Sequence, residues 1–128
     1  MVAFAISVPA PAFAEVLQVP SGMEVALHEA IYEPVGTDAS SAQTLRLRFV
    51  ASEISDETRF GIKQIESDFE WLCTHVGLVE KQQKAPEVQQ IIVSLSSETT
   101  AFGESAPEVV QYFDAFRVED GRCIWEGL

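Results

Sequence analysis

Apolar residues recur along this chain at two spacings, and the change of period separates strands from a helix. Over residues 43–50, Leu45, Leu47 and Phe49 alternate with Arg46 and Arg48, the period of two that marks a half-buried strand. Residues 89–96 repeat the pattern through Ile91, Val93 and Leu95. Residues 23–33 alternate less strictly; Met23, Val25, Leu27 and Ile31 are expected on one face, with His28, Ala26 and Ala30 on the other. A short apolar run over 15–19 precedes them, closed by the turn residues Pro20, Ser21 and Gly22. In the middle of the chain Ile62, Ile65, Phe69, Leu72 and Val76 recur at three and four, one face of a helix. Ser55 or Asp56 is expected to cap its start, with acids in its first turn, and His75 followed by Gly77 to mark its end.

Asp120-Gly121 is the strongest short-range signal, because a two-residue type I′ turn needs positive φ at both positions. Counting outward from it pairs Glu119 with Arg122, Val118 with Cys123 and Phe116 with Trp125, which sets the last four of these on one face. These elements predict an α+β fold: an antiparallel sheet of about five or six strands with one main helix packed on one face. Residues 15–128 read as a single domain, long enough to bury a core without metals.

Residues 1–14 carry no charge and end Ala12-Phe13-Ala14, the small-residue pattern at which signal peptidase cuts. A signal peptide normally opens with positive charge, and the first basic residue here is Arg46. Two readings stand: a truncated signal peptide, or a first strand over residues 2–8 running into Pro9 and Pro11. The cleavage pattern and the prolines favour the signal, and with it a periplasmic or secreted mature protein. The stretch is too short and too interrupted to span a bilayer, so no membrane insertion of the mature form is expected.

Export bears on Cys73 and Cys123, the only cysteines. Cys73 follows Phe69 by four, which brings it to the apolar face of the helix, and Cys123 lies on the apolar face of the hairpin. In an oxidising compartment the two can join helix to sheet; in a reducing one they would be two buried thiols.

Twenty acidic residues against eight basic ones leave a net charge of −12. That balance excludes non-specific nucleic-acid binding, which requires Lys and Arg to displace phosphate counterions. The acids are spread along the chain in runs no longer than two, which reads first as a solvated surface; a basic protein or peptide is the partner such a charge would suit. Reactive chemistry is thinly represented. No phosphate loop occurs, His28-Glu29 lacks the second histidine of a zinc-protease motif, and the spacing of His28, Cys73, His75 and Cys123 matches no zinc finger. No metal, cofactor or catalytic residue is assigned, and the reading leans away from an enzyme. Glu66 and Glu70 read as a solvated helix face. Trp71, off the apolar face of the helix, and Phe102, an aromatic in a polar loop, are the candidate binding contacts.

Phe102-Gly103-Glu104, Ala106-Pro107-Glu108, the run Gln111 to Phe116, the run Glu119 to Glu126 and the entry Pro20-Ser21-Gly22-Met23-Glu24-Val25 resemble a family of small exported alphaproteobacterial proteins known only as a domain of unknown function. The resemblance implies export, and Cys73 and Cys123 fall where that family carries its cysteines. It implies no catalytic residues. The expected function is therefore a non-enzymatic periplasmic domain that binds a protein or peptide. The alternative is a small apolar-ligand binder with a pocket between helix and sheet, lined by Phe69, Phe113, Phe116 and Trp125.

Overall fold

The structure, a computed structural model, describes residues 15–34, 42–100 and 107–127. The expected leader over residues 1–14 and the loop aromatic Phe102 lie outside the described residues. Six strands form one sheet in chain order: β1 (Leu17–Gln18), β2 (Glu24–Pro34), β3 (Ala42–Val50), β4 (Gln90–Ser96), β5 (Gln111–Glu119) and β6 (Arg122–Trp125). Curled as a half-barrel, it carries helix on one face, so the α+β expectation holds. The all-antiparallel expectation does not: β3 and β4 run parallel, from Thr44 opposite Gln90 to Val50 opposite Ser96. The helix itself is the reason. Parallel neighbours need a crossover of a dozen or more residues, and the single long helix lies between two strands that pair with each other.

The helical layer begins with a 3₁₀ turn, Ser52–Ser55, whose Ser55 hydroxyl donates to the Ser52 carbonyl at 3.1 Å. Helix α1 (Ile62–Leu72) starts later than expected, after Gly61, with no side-chain cap and no acid in its first turn. Gly77 does not stop the helix. A π-helical turn, Cys73–Gly77, leads straight into α2 (Leu78–Lys84), with Gly77 in ordinary helical geometry at φ −63°. Its role is close approach. A Cβ there would meet Ile91 Cδ1 at 3.0 Å and Cγ2 at 3.1 Å, so the absent side chain lets helix and sheet touch. His75 accordingly lies inside the helical run, its Nδ1 2.9 Å from the Trp71 carbonyl oxygen, and the dipole role expected of a last turn does not apply.

Leu45, Leu47 and Phe49 of β3 and Ile91, Val93 and Leu95 of β4 face Ile65, Phe69 and Leu72 of α1, all fully buried or nearly so. β2 departs from its expected phase. A bulge between Leu27 and Glu29 takes in His28, which is exposed. One extra residue flips the alternation. Beyond it Ala30 and Tyr32 pack on the core, whereas Ile31, expected beside Val25, opposes Arg46 on the other face. On that face Arg46 pairs with Glu33 at 2.9 Å and buried Arg48 with Glu29 at 2.8 Å, cross-strand pairs of the kind the sequence suggests.

The β5–β6 hairpin has the expected register, with Asp120 at φ 53° and Gly121 at φ 71°. Cys73 and Cys123 are joined across the layers, their Cα atoms 6.3 Å apart. Two polar contacts tie the N-terminal strands to the helices. Buried Asp68 accepts from the Ser21 amide at 2.9 Å and the Ser21 hydroxyl at 2.6 Å. The Tyr32 hydroxyl donates to Glu80. Burial first, then that carboxylate, raises the phenol above its ordinary pKa.

Candidate functional site

On α1, Ile62, Glu66, Phe69 and Glu70 follow one another at i, i+4, i+7 and i+8, a single stripe of the helix. Together with Phe113, Asp114 and Phe116 of β5 and Trp125 of β6, these residues line a groove of about 520 Å³. Phe69 and Phe116 are buried and form its floor. Ile62, Phe113 and Trp125 stand along its edge at 47%, 57% and 64% exposure, unusually open for residues of their size. Exposed apolar side chains are common singly; three around one concavity mark a contact surface.

Trp125 is held in place. Its indole N–H is shared between both carboxylate oxygens of Asp114, at 2.8 and 2.9 Å, and Asp114 reaches it because the register sets Phe116 opposite Trp125. Gly127 passes the far end of the ring at φ 68°, and a Cβ there would lie 3.3 Å from the indole Cη2. Glycine takes that conformation without strain and leaves the ring room that a Cβ would crowd. The indole is therefore preorganised yet open.

The groove's polar groups are carboxylates. Glu66, Glu70 and Asp114 line it, and among the described residues no basic residue, histidine, serine or cysteine does. Among the described residues neither the Glu66 nor the Glu70 carboxylate accepts a hydrogen bond or forms an ion pair. Two like charges one helical turn apart cost a few tenths of a kcal/mol unless a cation lies between them. A smaller concavity of about 340 Å³ sits at the β2 bulge, lined by Ala26, Leu27, His28, Val50 and Thr99. Among the described residues no group of three His, Cys, Asp or Glu side chains is placed to hold a metal ion.

Trp71 does not line the groove. It is partly buried against the core and stacked on His75, with ring centroids 4.1 Å apart and planes 17° from parallel. Phe69, Phe113, Phe116 and Trp125, named from the sequence as the lining of an interlayer pocket, do come together in the groove. The sequence reading missed the part of Glu66 and Glu70, because an i,i+4 acid pair on a helix ordinarily faces solvent. The signal was their phase: Glu66 and Glu70 flank Phe69 on the same stripe.

Over residues 3–128 the chain matches the model of a family of unknown function (DUF6497), and it belongs to that family. No curated protein and no solved structure matches it.

Proposed function

We propose that this DUF6497 member is an exported, non-enzymatic domain that binds a basic protein or peptide, and that the groove between α1 and the β5–β6 hairpin is where the partner docks. The observation that carries the reading is the pairing of an open aromatic surface with unpaired carboxylates. Apolar contact supplies affinity there, and the acids select a cation and speed encounter. The net charge of −12 acts in the same direction at longer range. Export accords with the Cys73–Cys123 bridge and with the absence, among the described residues, of any helix long and apolar enough to cross a membrane.

A second reading, a small apolar ligand, draws on the four aromatic lining residues and on a volume within the range of about 300–1,000 Å³ usual for ligand sites. It accounts less well for the three carboxylates, and the exposed edge would leave much of such a ligand in water.

Screening an array of decapeptides of varied charge against the purified protein tests the proposal. Bound sequences should be enriched in Lys or Arg beside large apolar residues, with binding that weakens as salt rises. Glu66→Lys with Glu70→Lys should abolish capture while leaving the melting temperature within a few degrees. Capture of neutral or acidic sequences at equal strength would refute it.

A further inference from the structure

Resting on the peptide-binding reading, the geometry points to arginine as the side chain the groove selects: its guanidinium stacks on the Trp125 indole and its N–H groups reach Glu66 and Glu70 across the groove. Three observations carry this. First, the indole is flat, 64% exposed, and fixed by its shared hydrogen bond to Asp114 and by Gly127. A rigid exposed aromatic face loses little entropy on receiving a flat cation, and Trp is the strongest cation–π partner. Second, Asp114 already accepts from the indole through both oxygens and from the Ala115 amide through Oδ1, whereas the Glu66 and Glu70 carboxylates have no hydrogen-bond or ion-pair partner among the described residues and are the groups best placed to meet an incoming cation. They sit one turn apart on α1. A guanidinium presents five N–H groups in a plane and can satisfy two carboxylates while stacked; an ammonium is a compact point charge that does not stack. Third, Ile62 and Phe113, exposed residues of the lining, add apolar surface, which suits the methylene stem of arginine and a neighbouring apolar residue.

The side chain reaching the groove therefore comes from an extended or loop segment of a partner with arginine next to a large aliphatic or aromatic residue. This differs from a merely basic partner, for which lysine would serve equally.

Three end-blocked peptides of identical apolar sequence decide the matter, one with a single arginine, one with lysine and one with citrulline, the uncharged isostere of arginine. They are titrated into the ¹⁵N-labelled protein while the Trp125 indole N–H resonance is followed, assigned by its loss in Trp125→Phe. The arginine peptide should bind about tenfold tighter than the citrulline peptide, with lysine closer to citrulline, and should shift the Trp125 resonance. In Trp125→Leu the preference for arginine over lysine should collapse, whereas Trp125→Phe should retain part of it. Glu66→Gln with Glu70→Gln should bring arginine to the level of citrulline. If arginine and lysine bind alike and both shift Trp125, the arginine assignment falls and the basic-peptide reading stands. If no peptide shifts the resonance up to millimolar concentration, both fall.

Discussion

Asp68 offers a test of how this fold holds its N-terminal strands, because its charge and its hydrogen bonds act in opposite directions. The carboxylate is fully buried on α1 and accepts from the Ser21 amide at 2.9 Å and the Ser21 hydroxyl at 2.6 Å. Burial pushes its pKa up, the two Ser21 donors pull it down, and burial wins. A carboxyl whose folded pKa exceeds its unfolded value of about 3.9 stabilises most below that value. That contribution is lost as pH rises through the folded pKa, so at neutral pH the ionised group is a burden relative to a neutral isostere. Asparagine keeps an acceptor for the Ser21 amide and can donate to the Ser21 hydroxyl. Asp68→Asn should accordingly match the parent at pH 7 or exceed it by up to about 1 kcal/mol. It should also flatten the decline in stability from about pH 4 upward. Asp68→Ala removes two charge-assisted bonds and leaves the Ser21 amide without its acceptor. The expected cost is about 2–4 kcal/mol, or a melting temperature lower by roughly 8–16 °C. Urea unfolding followed by circular dichroism at pH 4.5 and 7 measures both variants. If Asp68→Asn is as destabilised at pH 7 as Asp68→Ala, the charge itself is what Ser21 requires and the reasoning fails.

Three further outcomes are expected. Replacing Cys73 and Cys123 with serine opens a loop with a sequence separation of 50, which chain entropy values at about 4 kcal/mol; the urea midpoint should fall by roughly 2 M, and an unchanged midpoint would show that the bridge does not constrain the unfolded chain. Gly77→Ala gains about 1 kcal/mol of helix propensity but drives a Cβ to 3.0 Å from buried Ile91, so it should destabilise by about 1 kcal/mol net, and Ile91→Val should cost less in that background than in the parent, as a double-mutant cycle would reveal. Tyr32→Phe removes the donor to Glu80 and should cost about 1 kcal/mol in thermal melting; in the parent, absorbance at 295 nm should show Tyr32 resisting ionisation at pH 10–11, where an unfolded tyrosine ionises.

What could be read in the sequence was what local rules decide. The register of β5 and β6 followed from Asp120-Gly121, since few other dipeptides take positive φ twice. Strands β3 and β4 followed from strict alternation, but their parallel pairing is a property of the intervening crossover, which periodicity does not report. Ile31 was set on the wrong face because a bulge at His28 adds a residue without altering the apolar composition. Gly77 was taken for a stop because glycine weakens helices, while the structure uses it to admit Ile91. The four groove aromatics were legible from a helix laid over a sheet. The acids beside them were not, because solvent and a binding groove favour the same residues on the same stripe.

The parallel seam between β3 and β4 governs how the chain must fold. Thr44 and Gln90, partners at its start, are 46 positions apart in the chain, whereas the β5–β6 pairs flank a two-residue turn. Loop closure of that length precedes any return from the contacts it permits, so the seam is expected to zip late. Until then the sheet exists as two ribbons, each with an open edge of large aliphatic residues: Leu45 and Leu47 on one, Ile91, Val93 and Leu95 on the other. Cys73 lies on the helical crossover and Cys123 on β6, so oxidation ties the helix to the C-terminal ribbon and does not itself join β3 to β4. The hazard for this protein is thus kinetic, a window in which the nascent β3 and β4 edges can pair with those of another copy before they find each other.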